Sequence, residues 1–246
     1  MTKDLVVVTG AASGIGLASV EVLLADGWPV AALDRDAAGL DALSTRFADA
    51  KLSVHPIDLT SEDAIAEFAA GLEGRPVAGL VNSAGVGSNT LVRETTIEMF
   101  RRIYEINVVA GFALVQALLP NIETARGSIV NIASVSGILG NLGRSAYGAS
   151  KGAIVTLTKI MAVEFAASGV RVNAVAPGPI ETAMARQMHD AEARRRWIAR
   201  VPLARYGEPE EIAGAVRFLI DPGASSYVTG QILAVDGGFT TAGLMP

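Results

Sequence analysis

A doubly wound α/β fold, with one parallel sheet of about seven strands and helices on both faces, is predicted by three features of the chain. Short apolar runs recur at residues 5–8, 29–33, 52–57, 78–81, 128–132, 170–175 and 231–235. They are continuous rather than alternating, as expected of strands buried on both faces. Stretches of helical spacing separate them, so the chain reads as successive βαβ units. No linker, low-complexity tract or fixed-period repeat interrupts the 246 residues, and 1–246 is expected to form one domain.

Composition narrows the function classes. The chain is 50% hydrophobic with 26 glycines, enough to bury the core of one large α/β domain. A net charge of −5 and the lack of a Lys/Arg block with interleaved aromatics argue against a nucleic-acid partner. There is no cysteine, and the two histidines, His55 and His189, stand far apart in sequence. Disulfides, thiol nucleophiles and thiolate metal sites are thereby excluded, and no metal site is expected. The first apolar run meets Thr9 and Gly10 directly, so no export leader is expected. No uninterrupted apolar stretch approaches the roughly 18 residues of a membrane span, so a cytoplasmic location without a membrane partner is expected.

The first strand is followed by Thr9-Gly10-Ala11-Ala12-Ser13-Gly14-Ile15-Gly16 and then by helical spacing from Leu17. Glycines in such a strand–turn–helix let the backbone approach a pyrophosphate, and the helix N-terminus favours its charge. The spacing G-x-x-x-G-x-G departs from the usual dinucleotide pattern, so the turn alone is weak evidence. Context strengthens it: Asp34 ends the second strand 20 residues after Gly14, where a carboxylate accepts from ribose hydroxyls and repels a 2′-phosphate. That favours NAD over NADP. Arg35 is either a solvated strand-end charge or a guanidinium that swings in toward a 2′-phosphate. Asp58 follows the third strand, where it can accept from an adenine amino group, and Asn82-Ser83-Ala84-Gly85 follows the fourth. Strand ends on one sheet edge are where such folds bind ligands.

At the other end, Tyr147 and Lys151 form an i, i+4 pair at the opening of a helix, putting phenol and ammonium on one face. A free tyrosine titrates near pH ~10, so a neutral-pH base needs its phenolate stabilised. Lys151 and the helix N-terminus both act in that direction. Ser134 closes the fifth strand, where its hydroxyl can hold a substrate oxygen; no histidine is placed to make it a triad nucleophile. Asn107 interrupts an apolar helix, where it can bend the helix and hold a water near Lys151, or serve as a surface amide. Segments 108–119 and 152–167 are apolar over more than the ~100° stripe of a surface helix. Either a deep core or a second subunit covers the excess.

These motifs resemble the classical group of the short-chain dehydrogenase/reductase family. The likeness runs from Val6 to Gly238, with Thr9 to Gly16 as cofactor turn, Asn82 to Gly85 as a variant of Asn-Asn-Ala-Gly (Ser83 for the second asparagine), and Tyr147 and Lys151 placed 13 and 17 after Ser134. The resemblance implies a catalytic tetrad. Tyr147 exchanges the proton, Ser134 orients the oxygen, Lys151 binds the nicotinamide ribose and lowers the tyrosine pKa, and Asn107 holds a relay water. It implies cofactor contacts from Gly10, Ser13, Gly14, Ile15, Gly16, Asp34, Arg35, Asp58, Leu59, Asn82, Ala84, Gly85, Tyr147 and Lys151. Pro177, Gly178, Ile180 and Thr182 are implied to run past the nicotinamide. A substrate lid follows over about 182–206, and Val235-Asp236-Gly237-Gly238 resembles a signature found at subunit contacts in tetramers.

The pocket walls are expected from Val135, Ser136, Gly137, Ile138, Leu139, Gly140, Asn141 and Leu142 with Met184, Met188 and Trp197 of the lid; the alternative for these lid residues is packing alone. Substrate contacts are assigned to Ser134, Ser136, Asn141, Tyr147, Met184 and Met188. No Arg or Lys is recognised opposite the tyrosine, so the expected substrate is a small, uncharged secondary alcohol or polyol and its ketone. The cluster Arg194, Arg195, Arg196, Arg200 and Arg205 reads as a solvated helix face or a dock for an acidic acyl carrier. The alternatives are an NADPH-dependent 3-oxoacyl-acyl-carrier-protein reductase, which Asp34 opposes, and a non-catalytic nucleotide-sensing scaffold, which the intact tetrad opposes. A homotetramer is the expected assembly.

Overall fold

A computed structural model describes residues 3–72 and 74–243. Its centre is a seven-stranded parallel sheet in the order β3-β2-β1-β4-β5-β6-β7. The strands are β1 (Leu5–Thr9), β2 (Val30–Asp34), β3 (Leu52–Pro56), β4 (Val77–Asn82), β5 (Ser128–Ile132), β6 (Arg171–Pro177) and β7 (Ile232–Val235). Each coincides with a predicted apolar run to within one or two residues. β1, β5 and β6 are buried throughout, which is why they lack in–out alternation. The edge strand β3 has only exposed and half-buried positions.

Successive side chains of a strand point to opposite faces, and the core divides accordingly. On one face Val6, Val8, Val30, Ala32, Val81, Val130 and Val175 pack with residues of α1 (Gly14–Ala25), α2 (Ala37–Arg46) and α9 (Pro209–Ile220). On the other, Leu5, Val7, Ala31, Leu33, Leu80, Ile129 and Val172 meet α3 (Glu62–Ala70), α5 (Ala110–Ala125) and α6 (Ser145–Glu164). The strand order reverses at β1/β4, and helices leave the two strands on opposite sides. This opens a crevice at the strand C-termini.

Two expectations about helices change. The segment expected as 108–119 is part of one continuous helix, Ile97–Ala125, made of α4 (Ile97–Tyr104), a π turn at Glu105–Val109 and α5. Over 29 residues this helix is apolar and long enough to cross a membrane by length and composition, which a count of uninterrupted apolar residues did not reveal. Its inward residues Leu114, Val115, Leu118 and Ile122 are buried in the sheet-facing core. The segment expected at 152–167 starts earlier, at Ser145, so Tyr147 and Lys151 lie within α6. On these helices Val109, Phe112, Ile160 and Val163 remain exposed, Val163 by 79%.

Between β6 and α9 lie two short helices, α7 (Ala183–Met188) and α8 (Ala191–Ile198), each opened by a side-chain cap, Thr182 and Asp190 respectively. Val235-Asp236-Gly237-Gly238 packs within its own chain: a Cβ on Gly178 would stand 2.7 Å from Asp236, and one on Gly237 would stand 2.7 Å from Val201.

Candidate active site

A cavity of about 860 Å³ opens along the strand C-termini and receives most of the predicted residues. At one end Gly10, Ser13, Gly14, Ile15, Asp34, Arg35, Asp58 and Leu59 line it, with Ala84 and Gly85 from the loop after β4. Ser134, Ser136, Tyr147, Lys151, Pro177, Gly178, Ile180, Thr182, Met184, Met188 and Trp197 line the rest. The glycines are required by the backbone. Gly10 has φ +64°, and a Cβ there would stand 3.0 Å from the Ala84 backbone; a Cβ on Gly16 would sit 2.0 Å from the Gly10 carbonyl oxygen. Gly16 therefore does not line the cavity but seats α1 against the turn.

Asp34 has one carboxylate oxygen accepting from the Ala12 N–H at 3.0 Å and the other from the Asp36 N–H at 3.0 Å. This fixes the carboxylate at the cavity wall with lone pairs to spare. Arg35 is exposed, and its charge acts on Asp58, whose carboxyl is held below the usual range mainly by the Thr60 backbone N–H and hydroxyl. A turn that any side chain would fill, and a carboxylate ready for hydroxyl donors, fit a dinucleotide.

Ser134 is buried, and its Oγ accepts from the Ser136 N–H at 3.1 Å. Lys151 is buried and donates to the Ile132 carbonyl at 2.7 Å, with Nζ 5.8 Å from the Tyr147 ring centroid. Burial without a carboxylate partner lowers its pKa from 10.5 to about 8. Burial pushes the Tyr147 phenol up, while hydrogen bonding from Ser134 and the charge of Arg144 pull it down. The cation opposing burial at the phenol is thus Arg144, a residue absent from the sequence reading.

Asn107 sits in the π turn, and its side chain is a clamp. Nδ2 donates to the Val86 carbonyl and to Ser150 Oγ, both at 3.0 Å, and Oδ1 accepts from the Val86 N–H at 2.8 Å. The surface-amide reading is therefore wrong. Asn82 does not line the large cavity either; it donates to Asn131 at 3.0 Å, and its buried Oδ1 has no partner among the described residues. A small space of about 20 Å³ lies between Asn82, Asn107, Asn131 and Lys151.

The predicted pocket wall is only partly right. Asn141 lies outside the cavity and donates to Ser136 Oγ at 3.2 Å. Ile138, Leu139 and Leu142 are exposed instead of lining it, because the chain turns outward after the short turn at Val135–Gly137.

The expectation of no cation opposite the tyrosine fails. Arg144, the residue before α6, is only 7% exposed, lines the cavity, and holds its Cζ 5.6 Å from the Tyr147 ring centroid. His189 also lines the cavity, bonded to Arg144 Nη2 at 2.6 Å and to the Tyr206 hydroxyl at 2.9 Å, and stacked on Trp197 at 5.7 Å. With both ring nitrogens engaged, it is no base for Ser134. One local signal could have found Arg144: it stands three residues before Tyr147, a spacing that brings side chains together at a helix start. His189 carries no comparable signal.

Four of the five arginines of the cluster pair with carboxylates of this chain, and Arg200 lies over the Phe239 ring at 5.5 Å. Arg194 bridges Glu181, Arg195 and Arg196 bridge Glu192, and Arg205 grips Glu211 with two bonds of 2.7 Å.

A glycine-lined cleft at the topological switch of a parallel sheet, with Ser134, Tyr147 and Lys151 at its far end, defines a protein of the doubly wound α/β class. The chain belongs to the short-chain dehydrogenase/reductase family, since a family model described as enoyl-(acyl carrier protein) reductase matches residues 10–240. It is 42% identical over 238 residues to galactitol 2-dehydrogenase (L-tagatose-forming) of Cereibacter sphaeroides, covering 95% of this chain and 93% of that one. It is 38% identical to a 3-oxoacyl-acyl-carrier-protein reductase of Thermotoga maritima, covering 94% and 95%. The solved structure of ElxO with NADP bound superposes with a TM-score of 0.89 at 28% identity, covering 98% of this chain and 100% of that one. The chain spans 43% of the length of one further curated relative, an uncharacterised short-chain type dehydrogenase/reductase of Sinorhizobium fredii, to which it is 40% identical.

Proposed function

We propose that this chain is an NAD(H)-dependent oxidoreductase interconverting a small secondary alcohol or polyol and its ketone, with Tyr147 as acid or base. The observation that carries the reading is the convergence of Ser134, Tyr147 and Lys151 on one end of a cavity whose other end is formed by the glycine turn and Asp34. In this reading Gly10, Ser13, Gly14 and Ile15 hold the pyrophosphate, Asp34 the adenosine ribose, Asp58 and Leu59 the adenine, and Lys151 the nicotinamide ribose. Ala84, Gly85, Pro177, Gly178, Ile180 and Thr182 enclose the rest. A bound nicotinamide dinucleotide supplies or accepts the hydride. Tyr147 exchanges the carbinol proton at its hydroxyl, and Ser134 orients the substrate oxygen. The small space by Asn82, Asn107 and Lys151 is large enough for one water, and the unpartnered Asn82 Oδ1 supports a water relay there.

Asp34 supports NAD over NADP, because its carboxylate stands where a 2′-phosphate would be repelled; the NADP of ElxO is a property of that protein. The alternative of a 3-oxoacyl-acyl-carrier-protein reductase loses support from the arginine cluster, since Arg194, Arg195, Arg196 and Arg205 already pair with this chain's own carboxylates. A non-catalytic scaffold is opposed by the four intact tetrad positions. The exposed Val109, Phe112, Ile160 and Val163 support assembly with further copies of the chain, a tetramer by family likeness.

The test is a parallel fluorescence titration with NADH and NADPH, followed by ketone reduction with the wild type and Tyr147→Phe. NADH is expected to bind at least about tenfold tighter, and the variant to keep that binding while losing about 10²- to 10⁴-fold in turnover. Binding of neither cofactor, or full turnover by the variant, would sink the reading.

A further inference from the structure

Arg144 presents an unusual electrostatic situation. The side chain is 7% exposed and forms part of the cavity wall beside Tyr147, yet no carboxylate bridges it among the described residues. Its recorded partners are the Ser88 carbonyl at 2.8 Å, the Met188 sulfur at 3.9 Å and His189 Nε2 at 2.6 Å, all uncharged acceptors. His189 is held neutral, its pKa lowered to about 4 by burial first and then by Arg144 and Arg194. The neutral ring thus accepts a hydrogen bond from the guanidinium N–H at Nε2 and donates from Nδ1 to the Tyr206 hydroxyl. This orients Arg144 without neutralising it. The carboxylates that act on His189 are committed elsewhere: Glu181 pairs with Arg194, and Asp190 accepts from the Ala193 N–H at 2.7 Å as the cap of α8. Glu105, also on the cavity wall, is solvent-exposed and leaves Arg144 unbridged.

A buried unpaired charge is costly to a fold and is kept where an opposite charge arrives. A guanidinium has five N–H donors in a planar fork suited to two oxygens of one oxyanion, and at most three of the five are used here. We propose that the substrate carries a singly charged oxyanion, a carboxylate or a sulfonate, near its reacting carbon, and that Arg144 holds this group while Tyr147 faces the carbinol or ketone. The specificity is then for hydroxy acids and oxo acids rather than neutral alcohols. His189, Tyr206 and Trp197 are positioning residues, since they act through Arg144.

This inference rests on the oxidoreductase reading, and the experiment separates the two. Reduction of levulinate is compared with that of 2-hexanone, and of acetonylsulfonate with 2-pentanone, in wild type, Arg144→Lys and Arg144→Met. The quantity of interest is the ratio of kcat/KM for the charged to the neutral ketone within one protein. Any effect of Arg144 on the Tyr147 phenol is common to both substrates and cancels in the ratio. The wild-type ratio is expected to exceed about tenfold for at least one pair, to fall about ten- to hundredfold in Arg144→Met, and to be partly kept in Arg144→Lys. The pair with the larger ratio identifies carboxylate or sulfonate. A wild-type preference for both neutral ketones, or a preference unchanged in Arg144→Met, overturns the proposal while leaving the oxidoreductase reading intact.

If no ketone is reduced, the oxidoreductase reading fails and binding alone decides the anion site. Trp197, whose ring lies 5.9 Å from Arg144 Cζ, is the fluorescence reporter for titrations with levulinate and acetonylsulfonate. Saturation in the wild type that is lost in Arg144→Met supports the site; no saturation with either anion overturns it.

Discussion

The two ends of the cavity are built from different materials. The nucleotide end is mostly backbone: a strand end, a turn in which Gly10 and Gly16 leave no room for a Cβ, and the first turn of α1, with Asp34 as its main charged side chain. The substrate end is made of side chains from segments far apart in sequence: Ser134 from the end of β5, Arg144 and Tyr147 at the start of α6, and Met184, Met188, His189 and Trp197 from the α7–α8 region. Backbone sites tolerate almost no substitution and leave a local mark in the sequence. Side-chain sites can be repacked, which is how one fold serves many substrates.

The largest expected effect breaks the nucleotide end. In Gly16→Ala the new methyl would stand 2.0 Å from the Gly10 carbonyl oxygen and 2.6 Å from its carbon, and neither is a flexible side chain that can move aside. Overpacking of this kind costs about 3 kcal/mol or more, so the variant should melt well below the wild type and lose cofactor binding. Gly214→Ala is the control. It lies in α9 with nothing within 4 Å of the new methyl, and should be neutral or stabilising by up to about 1 kcal/mol. Equal melting temperatures for the two variants would contradict the packing argument.

This contrast explains what was legible in the sequence. The seven strands could be read because burial on both faces demands unbroken apolar runs. The cofactor turn could be read because close backbone approach demands glycine at Gly10 and Gly16, and a φ of +54° favours it at Gly14. Tyr147 and Lys151 were legible because one helical turn separates them. The Asn107 clamp was half legible: its polarity stood out, but its partners are Val86, in a loop 21 residues away, and Ser150, in α6 43 residues away. Arg144 was missed although its place three residues before Tyr147 was a local signal, and Asn141 was wrongly included because the direction taken by the chain after Ser136 is set by tertiary packing and not by local pattern. His189 meets Arg144 across 45 residues, a pairing that no periodicity encodes.

A smaller effect on stability, of opposite sign to the loss of activity, is expected at Lys151. Its pKa falls from 10.5 to about 8 on burial, a penalty on the order of 3 kcal/mol at neutral pH, partly offset by its bond to the Ile132 carbonyl. For a buried cation the unfolded chain binds more protons between the two pKa values, so stability rises with pH across that window. Lys151→Met removes the penalty but leaves the carbonyl unpartnered. Without cofactor the variant should therefore be as stable as the wild type, or more so, at pH 7, and its relative advantage should shrink as pH rises from about 8 toward 10.5. Ketone reduction should meanwhile fall about a hundredfold or more. Melting curves at pH 7 and pH 9.5 decide the point: an advantage that grows with pH would mean that Lys151 is not buried as a strained cation.

The smallest effect tests whether one side chain governs the otherwise backbone-built end. Asp34 already accepts from the Ala12 and Asp36 N–H groups, so Asp34→Asn replaces a charge while retaining one acceptor oxygen. One backbone bond is lost and the turn loosens by about 1 kcal/mol. The charge matters more to the cofactor than to the fold. With the carboxylate gone and Arg35 left at the cavity wall, the ratio of NADH to NADPH affinity should drop about tenfold, mainly through tighter NADPH binding. If instead both affinities fall together and the ratio stays fixed, Asp34 serves the turn and not the ribose. The contrast between a backbone-built nucleotide end and a side-chain-built substrate end would then be sharper still.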